Sequence, residues 1–263
     1  MNRANIFWGV VLLLGGALLL LDNLGLLGDI EVWSLLWPLF LIAVGVWILL
    51  GAAMKGSVTR EHISIPLEGA QNARVRLQHG AGKLNITSYT SAGILLDGDF
   101  SGKVKVNKRL DGNSLDLKLQ MSGDFFPFDW SPGQTLDWSF GLTKDVPLNL
   151  ELETGASENQ IDLTELNVSA FSLKSGASST LLKLPSAAKL TRVKIESGAA
   201  SVKIVVPEGV AARIRSQSGL SSLTVNNQRF QKMGNTYQSP DYDSAEYQSD
   251  IDIQMGVGSV EVQ

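Results

Sequence analysis

Apolar positions run together along residues 1–55 and alternate with polar ones from residue 56 onward. Ile6 to Leu21 is a 16-residue stretch without a charge, and starting it at Ala4 gives 18, close to the roughly 20 residues that span hydrocarbon as a helix. A second apolar run, Trp33 to Met54, follows after a short loop holding Asp22, Asp29 and Glu31. Arg3 ahead of the first run raises the alternative of a cleaved signal peptide, but no small-x-small cleavage site follows and the second run comes too soon. The pattern therefore predicts a transmembrane α-hairpin over residues 1–55. Arg3, Lys55 and Arg60 flank its outer ends and the 22–31 loop has no lysine or arginine. The excess of positive charge predicts both termini on the cytoplasmic side. Trp8, Trp33 and Trp37 suit the interfacial belts, and Gly15, Gly16 and Gly45 suit close helix approach. Neither run has an ionisable group at mid-depth, which argues against a transport path.

In the alternating part a short unit recurs: "ETGASENQIDL", "KSGASSTLLKLP", "ESGAASVKIVVP", "SQSGLSSLTV" and "MGVGSVEV". Aligned on Gly80, Gly155, Gly176, Gly198, Gly219 and Gly256, the middle four glycines are spaced 21, 22 and 21 residues apart. A fixed period of this kind signals a stacked repeat. Five and three residues before each glycine come Val75 and Leu77, Leu150 and Leu152, Phe171 and Leu173, Val193 and Ile195, and Ile251 and Ile253. The Gly219 unit slips, with Ile214 but Ser216. Six residues after the glycines stand Ile86, Ile161, Leu182, Ile204, Val225 and Val262. Period-two alternation on both sides of a turn means strands with one buried face. Such a unit cannot cover that face alone, so the units must stack, strand on strand about 4.8 Å apart. The expected fold is an all-β soluble domain, a β-solenoid of ~21-residue coils with flanking hairpins. Each corner glycine supplies a positive φ or a close approach to the corner above, with Ala156, Ala177 and Ala199 keeping the corner thin. Valine at Gly198 is expected to be far worse than valine at Gly69.

The period breaks between Gly80 and Gly155. "ILLDGDF", "KVKVNKRL" and "SLDLKLQ" read as strands joined by turns at Ser101–Gly102 and Asp111–Asn113, that is, as hairpins flanking the stack. Residues 226–249 read as a surface loop before the last coil. The organisation expected is thus a membrane region over 1–55, a β-rich part with an aromatic loop over 56–140, and the solenoid repeats over 141–263.

Composition narrows the chemistry. The part after residue 55 has 20 basic and 23 acidic side chains, so it has no basic field for nucleic acid. There is no cysteine, which removes disulfides, thiolate metal sites and a cysteine nucleophile. Ser186 to Lys189 fits Ser-x-x-Lys, and Lys174, Ser175 and Gly176 fit a Lys-Ser-Gly triplet. Their order is the reverse of penicillin-binding enzymes and both are explained by the repeat. "GAGK" at Gly80 lacks the spacing of a phosphate-binding loop. Asp241 with Asp243, and Asp250 with Asp252, offer oxygen ligands for calcium, but the latter pair alternates with Ile251 and Ile253 as the solvated face of a strand does. No catalytic residue, cofactor or metal site is expected.

One segment stands apart. Phe125, Phe126, Phe128, Trp130 and Trp138 crowd a loop-like stretch. Exposed, they would anchor a partner or a membrane surface; buried, they would cap the open end of the stack, which any stacked fold needs. The cap is the expectation.

"IFWGVVLLLGGALLLLDNLG" followed by "WSLLWPLFLIAVGVWILL" resembles the LiaI-LiaF-like transmembrane region. The Gly-Ala-Ser repeats, with "VPLNLELETGAS" and "GVGSVEV", resemble the toastrack-type β-solenoid of LiaF-like and cell-wall-active antibiotic response proteins. The resemblance implies a bacterial cytoplasmic-membrane protein that modulates envelope-stress signalling, in some members by restraining a sensor kinase. It carries over no contact residue. The expected function is that of a non-enzymatic, membrane-anchored sensor, regulator or scaffold. Its expected partners are the lipid bilayer and another membrane or signalling protein, with self-association left open. The alternative is an extracytoplasmic adhesin or glycan-binding module, which needs the opposite topology.

Overall fold

A computed structural model of the chain describes residues 9–13, 15–17, 19–20, 24, 37–42, 44–46, 60–89, 91–121 and 136–263. The chain divides into two compact units, Met1–Val58 with Gly123–Gln134, and Thr59–Ser122 with Thr135–Gln263. In the first, the described residues within 9–20 and 37–46 are helical and leave Leu12, Leu13, Trp37 and Ile42 exposed. Among the described residues no helix is long and apolar enough to cross a membrane. Much of the hairpin expected over residues 1–55 lies outside the described residues.

The second unit is built from strands. In chain order they are β1 (Arg60–Pro66), β2 (Asn72–Tyr89), β3 (Ile94–Ser101), β4 (Val104–Asp111), β5 (Ser114–Met121), β6 (Trp138–Thr143) and β7 (Leu148–Asp162). They continue with β8 (Val168–Lys183), β9 (Leu190–Val205), β10 (Val210–Val225), β11 (Gln231–Met233), β12 (Thr236–Gln238) and β13 (Tyr247–Val262). All thirteen join one sheet, so the 140/141 boundary drawn from the sequence falls inside β6. Each repeat forms one long strand whose inward positions change phase at the corner. In β7, Leu148, Leu150, Leu152 and Thr154 are buried before Gly155, and Asn159 and Ile161 after it. An even-to-odd switch turns the same side of the ribbon toward the core on both arms of a bent strand.

The long strands stack in parallel and in register, β2 on β7, β7 on β8 and β8 on β9. Val75, Leu150, Phe171 and Val193 therefore form one buried column, and Leu77, Leu152, Leu173 and Ile195 the next. At about 25 cal/mol per Å² of apolar area removed from water, these columns are the main source of cohesion. The order then departs from the chain. The C-terminal β13 enters between β9 and β10, leaving β10 outermost. Ser216, the slipped position, thus belongs to the terminal coil, where repeats are generally atypical.

At the corners the need for glycine is one of space. None of the six has a positive φ. A Cβ on Gly198 would sit 2.8 Å from the carbonyl oxygen of Gly176, and one on Gly219 would sit 3.0 Å from that of Gly256. Gly69 is the opposite case: it has open space around it and a φ of 74°. A valine there meets no neighbour but is strained by its own backbone, whereas at Gly198 the obstacle is the adjoining corner.

At the far end, β5 runs parallel to the first arm of β2 and β6 parallel to its second arm. Together they make one further coil, split by residues 122–137. β4 and β5 form the expected hairpin. β3 does not pair with β4; it lies antiparallel between β1 and β6. Within 226–249, expected as a loop, β11 and β12 form a short hairpin that adds to β10 through Arg213–Arg215.

Candidate interaction surface

The outward residues of the first arms form three columns in register across the stack. The column six residues before the corner reads Arg74, Asn149, Ala170, Arg192, Asp250 and Arg213. The next reads Arg76, Glu151, Ser172, Lys194, Asp252 and Arg215, and the third Gln78, Glu153, Lys174, Glu196, Gln254 and Gln217. Charge favours the position of β13. Stacked in chain order, β10 would set Arg213 beside Arg192 and Arg215 beside Lys194. Like charges directly opposite one another on a sheet are destabilising. With β13 between them the columns alternate in sign. Arg213 donates from Nε and Nη2 to Asp250 at 3.2 and 3.0 Å, and Arg215 to Asp252 at 2.7 and 3.0 Å. The hydrogen bond from Arg215 holds the Asp252 carboxyl below its ordinary pKa, and the same contact raises that of Arg215. These aspartates, weighed as calcium ligands from the sequence, are thus held by arginine; among the described residues no group of three acidic or imidazole side chains is placed to hold a metal.

β8 is the low point of this face. Its outward Ala170 and Ser172 are short, whereas Glu151 and Glu153 rise on β7 and Arg192 and Lys194 on β9. The result is a trough of about 650 Å³ that continues to Arg215, Asp250 and Asp252. Low side chains at Ala170 and Ser172 between tall ones leave a gap of two strand spacings, about 10 Å, which Lys174, exposed on β8, closes at the corner end. One wall is acidic and the other basic. Gln78 donates to Glu153 at 2.7 Å, and Arg74 lies 3.7 Å from Glu151. Lys194 pairs with Glu196, while Arg192 is exposed and makes no ion pair among the described residues. This geometry suits an extended chain laid along the strand direction, with a carboxylate or another acceptor toward Arg192.

The residues singled out from the sequence fall in several places. Gly80, Gly155, Gly176, Gly198, Gly256 and Gly219 form the corner column, in that order. Trp138 is buried on β6, where its Nε1 donates to the Ser101 carbonyl at 3.2 Å and its ring meets Phe100 edge-on at 5.2 Å. Phe125, Phe126, Phe128 and Trp130 lie outside the described residues. The Lys-Ser-Gly and Ser-x-x-Lys matches are not brought together as nucleophile and base. The Ser175 hydroxyl shares hydrogen bonds with those of Ser178 and Ser197 at 2.9 and 2.7 Å, and Ser186 donates to the Thr164 carbonyl. The trough itself was missed in the sequence; a short outward pair, Ala170 and Ser172, between two charged repeats was its only signal.

His79 is the least expected group. It is buried at the corner of β2 with its ring 4.9 Å from that of Trp138, and Nε2 is 2.6 Å from the Leu136 carbonyl. Nε2 therefore carries the proton, and Nδ1 is buried without a partner. Loss of solvent lowers its pKa below the usual imidazole value.

A stack of parallel bent strands with paired charge columns defines an all-β domain of stacked coils, and sequence comparison gives its family. Residues 54–205 match the N-terminal domain of toast_rack, more than half of the chain, and the protein belongs to that family. Residues 6–49 match the LiaI-LiaF-like transmembrane region, which makes it a membrane protein. Residues 165–262 match the C-terminal domain of LiaF, described as a cell wall-active antibiotics response domain. No curated protein matches. A crystal structure described as a candidate cell-adhesion protein from Clostridium sporogenes superimposes with a TM-score of 0.73 at 21% identity, covering 78% of this chain and 99% of that one. That likeness shows the fold. A candidate adhesin from Bacteroides fragilis, at 10% identity over 80% of this chain and 99% of its own, gives a TM-score of only 0.28.

Proposed function

We propose that the protein is a non-enzymatic, membrane-anchored regulator or scaffold of the bacterial cell-envelope stress response, whose trough over β8 holds an extended segment of another membrane or signalling protein, a sensor kinase being the first candidate. The observation that carries this reading is the succession, in one chain, of a LiaI-LiaF-like membrane region, a toast-rack domain and a LiaF-like C-terminal domain. Arg3, Lys55 and Arg60 favour a cytoplasmic position for the stack. Two measurements test it. An alkaline phosphatase fusion at Gln263 is expected to be inactive, and replacing the three flanking cations with glutamate while adding lysines to the 22–31 loop is expected to switch it on. In pull-downs from membranes, the pair Arg192→Gln and Lys194→Gln, which leaves Asp250 and Asp252 paired with Arg213 and Arg215, is expected to lose the partner with a stability within about 1 kcal/mol of the parent; a retained partner would refute the role of the trough.

A second reading, an extracytoplasmic adhesin or glycan-binding module, is favoured by the likeness to the candidate cell-adhesion protein. It requires an active phosphatase fusion in the unaltered chain.

A further inference from the structure

We infer that two copies of this chain associate through the free edge of β10, residues 220–225, pairing backbone to backbone. Among the described residues no strand pairs with β10 on its outer side beyond Arg215, because β12 ends its contact at Arg213–Arg215. An unpaired strand edge invites another strand, and proteins ordinarily blunt it with charge, proline or shortness. Among the described residues the other edges of this sheet are blunted. β1 carries Arg60, Glu61, His62 and Pro66; β4 carries Lys105, Lys108, Arg109 and Asp111; β11 is three residues long with Lys232. From Ser216 to Val225 there is no charged residue and no proline, and the ladder to β13 runs with an unshifted register across the corner.

The occupant follows from charge and shape. Two copies of an uncharged edge meet without repulsion. The edge is bent at Gly219 and its first arm is covered by β12, so the straight length open to a second copy is the second arm, Leu220 to Val225, paired antiparallel with its own counterpart. The exposed column beside the corner glycines also changes here: Ala81, Ala156, Ala177 and Ala199 give way to Val257 and then Leu220, which are 53% and 82% exposed. The apolar side chains grow where a second copy would cover them. Six residues of strand are about 20 Å long. One edge of that length falls below the roughly 1,000 Å² of a stable interface in free solution, so anchoring in a shared bilayer, which raises the effective concentration, is part of the device.

The chain has no cysteine, so single substitutions report cleanly. Ser222 faces outward on β10, and Ser179 lies in the same column on β8, three strands inward. In membranes holding the full chain, mild oxidation is expected to yield disulfide dimers with at least one of Gln217→Cys, Ser222→Cys and Thr224→Cys, several-fold above Ser179→Cys. Adding Leu220→Lys, or Thr224→Lys where position 224 is free, is expected to return the yield to the Ser179→Cys level; both side chains are exposed, so neither change disturbs the core. Yields equal to the Ser179→Cys level at all three edge positions, an unchanged yield with either lysine, or an adduct with a different protein in place of the dimer would each overturn the inference.

Discussion

The carbonyl oxygen of Gly198 lies 2.7 Å from where a Cβ on Gly256 would be, although 58 residues separate the two in the chain. The corner that follows Gly198 in sequence, Gly219, sits one layer further out, on Gly256. The last strand is thus a wedge between two earlier ones, and its seating depends on both neighbours.

Gly256→Val is expected to destabilise the domain by on the order of 3 kcal/mol, because the new side chain meets backbone on β9 that has no rotamer with which to give way. Ala199→Val is the matching control. Ala199 is exposed and its partner in register is already Val257, so its urea midpoint is expected to stay within about 0.5 kcal/mol of the parent. Equal losses in the two variants would mean that the corner column is wrongly assigned.

The alternating charge columns give a salt-dependent forecast. Asp250→Lys with Asp252→Lys places β13 cations between Arg192 and Lys194 on one side and Arg213 and Arg215 on the other. The melting temperature is expected to fall, and added salt to recover part of the loss. Asp252 and Arg215 are 47% and 42% exposed, so their native pair contributes no more than about 1 kcal/mol. With the Asp252 pKa lowered in the folded state, that contribution is present at neutral pH and disappears as pH falls below about 3.9 and through the lowered value.

His79 makes a separate acid limb. Its folded pKa lies below the unfolded value of about 6.5, so the unfolded chain takes up the proton first as pH drops. Stability from neutral His79 is therefore complete above about pH 6.5 and declines below it, toward the lowered value. His62, whose pKa is raised by its hydrogen bond to Asp99, acts with the opposite sign. Melting temperatures from pH 8 to 5 in a His62→Asn background are expected to fall with acid, and His79→Phe to flatten that fall. A slope unchanged by His79→Phe would exclude the group.

Truncating Trp138 to alanine is expected to cost about 3 to 5 kcal/mol, since the indole is buried against Phe100 and His79. For Phe126→Ala and Trp130→Ala the cap reading forecasts a lowered urea midpoint too. An unchanged midpoint with a lost partner in a membrane pull-down would make residues 122–137 an interface instead.

Much of the stack was legible because its signals are local. The alternation around Val193 and Ile195 says which side of a strand is buried, and the recurring glycine says where the strand bends. Both follow from a side-chain period of two and from contacts a few residues long. The split coil of β5 and β6 was less legible, because residues 122–137 separate arms that elsewhere meet at one glycine.

By itself, then, the sequence determined the strand-forming pattern, the inward faces and the positions of the corners. Tertiary structure alone decided the neighbours. Every coil offers a bent strand with apolar inward positions, but β10 breaks the pattern at Ser216, where β13 has Ile253, and burial therefore favours β13 as the strand to lie on β9. What also distinguishes them is the sign of Asp250 and Asp252 against Arg192, Lys194, Arg213 and Arg215, an interaction that exists only once parallel register sets residues from distant repeats about 4.8 Å apart. The trough over Ala170 and Ser172 and the bare edge at Leu220 follow from that same order.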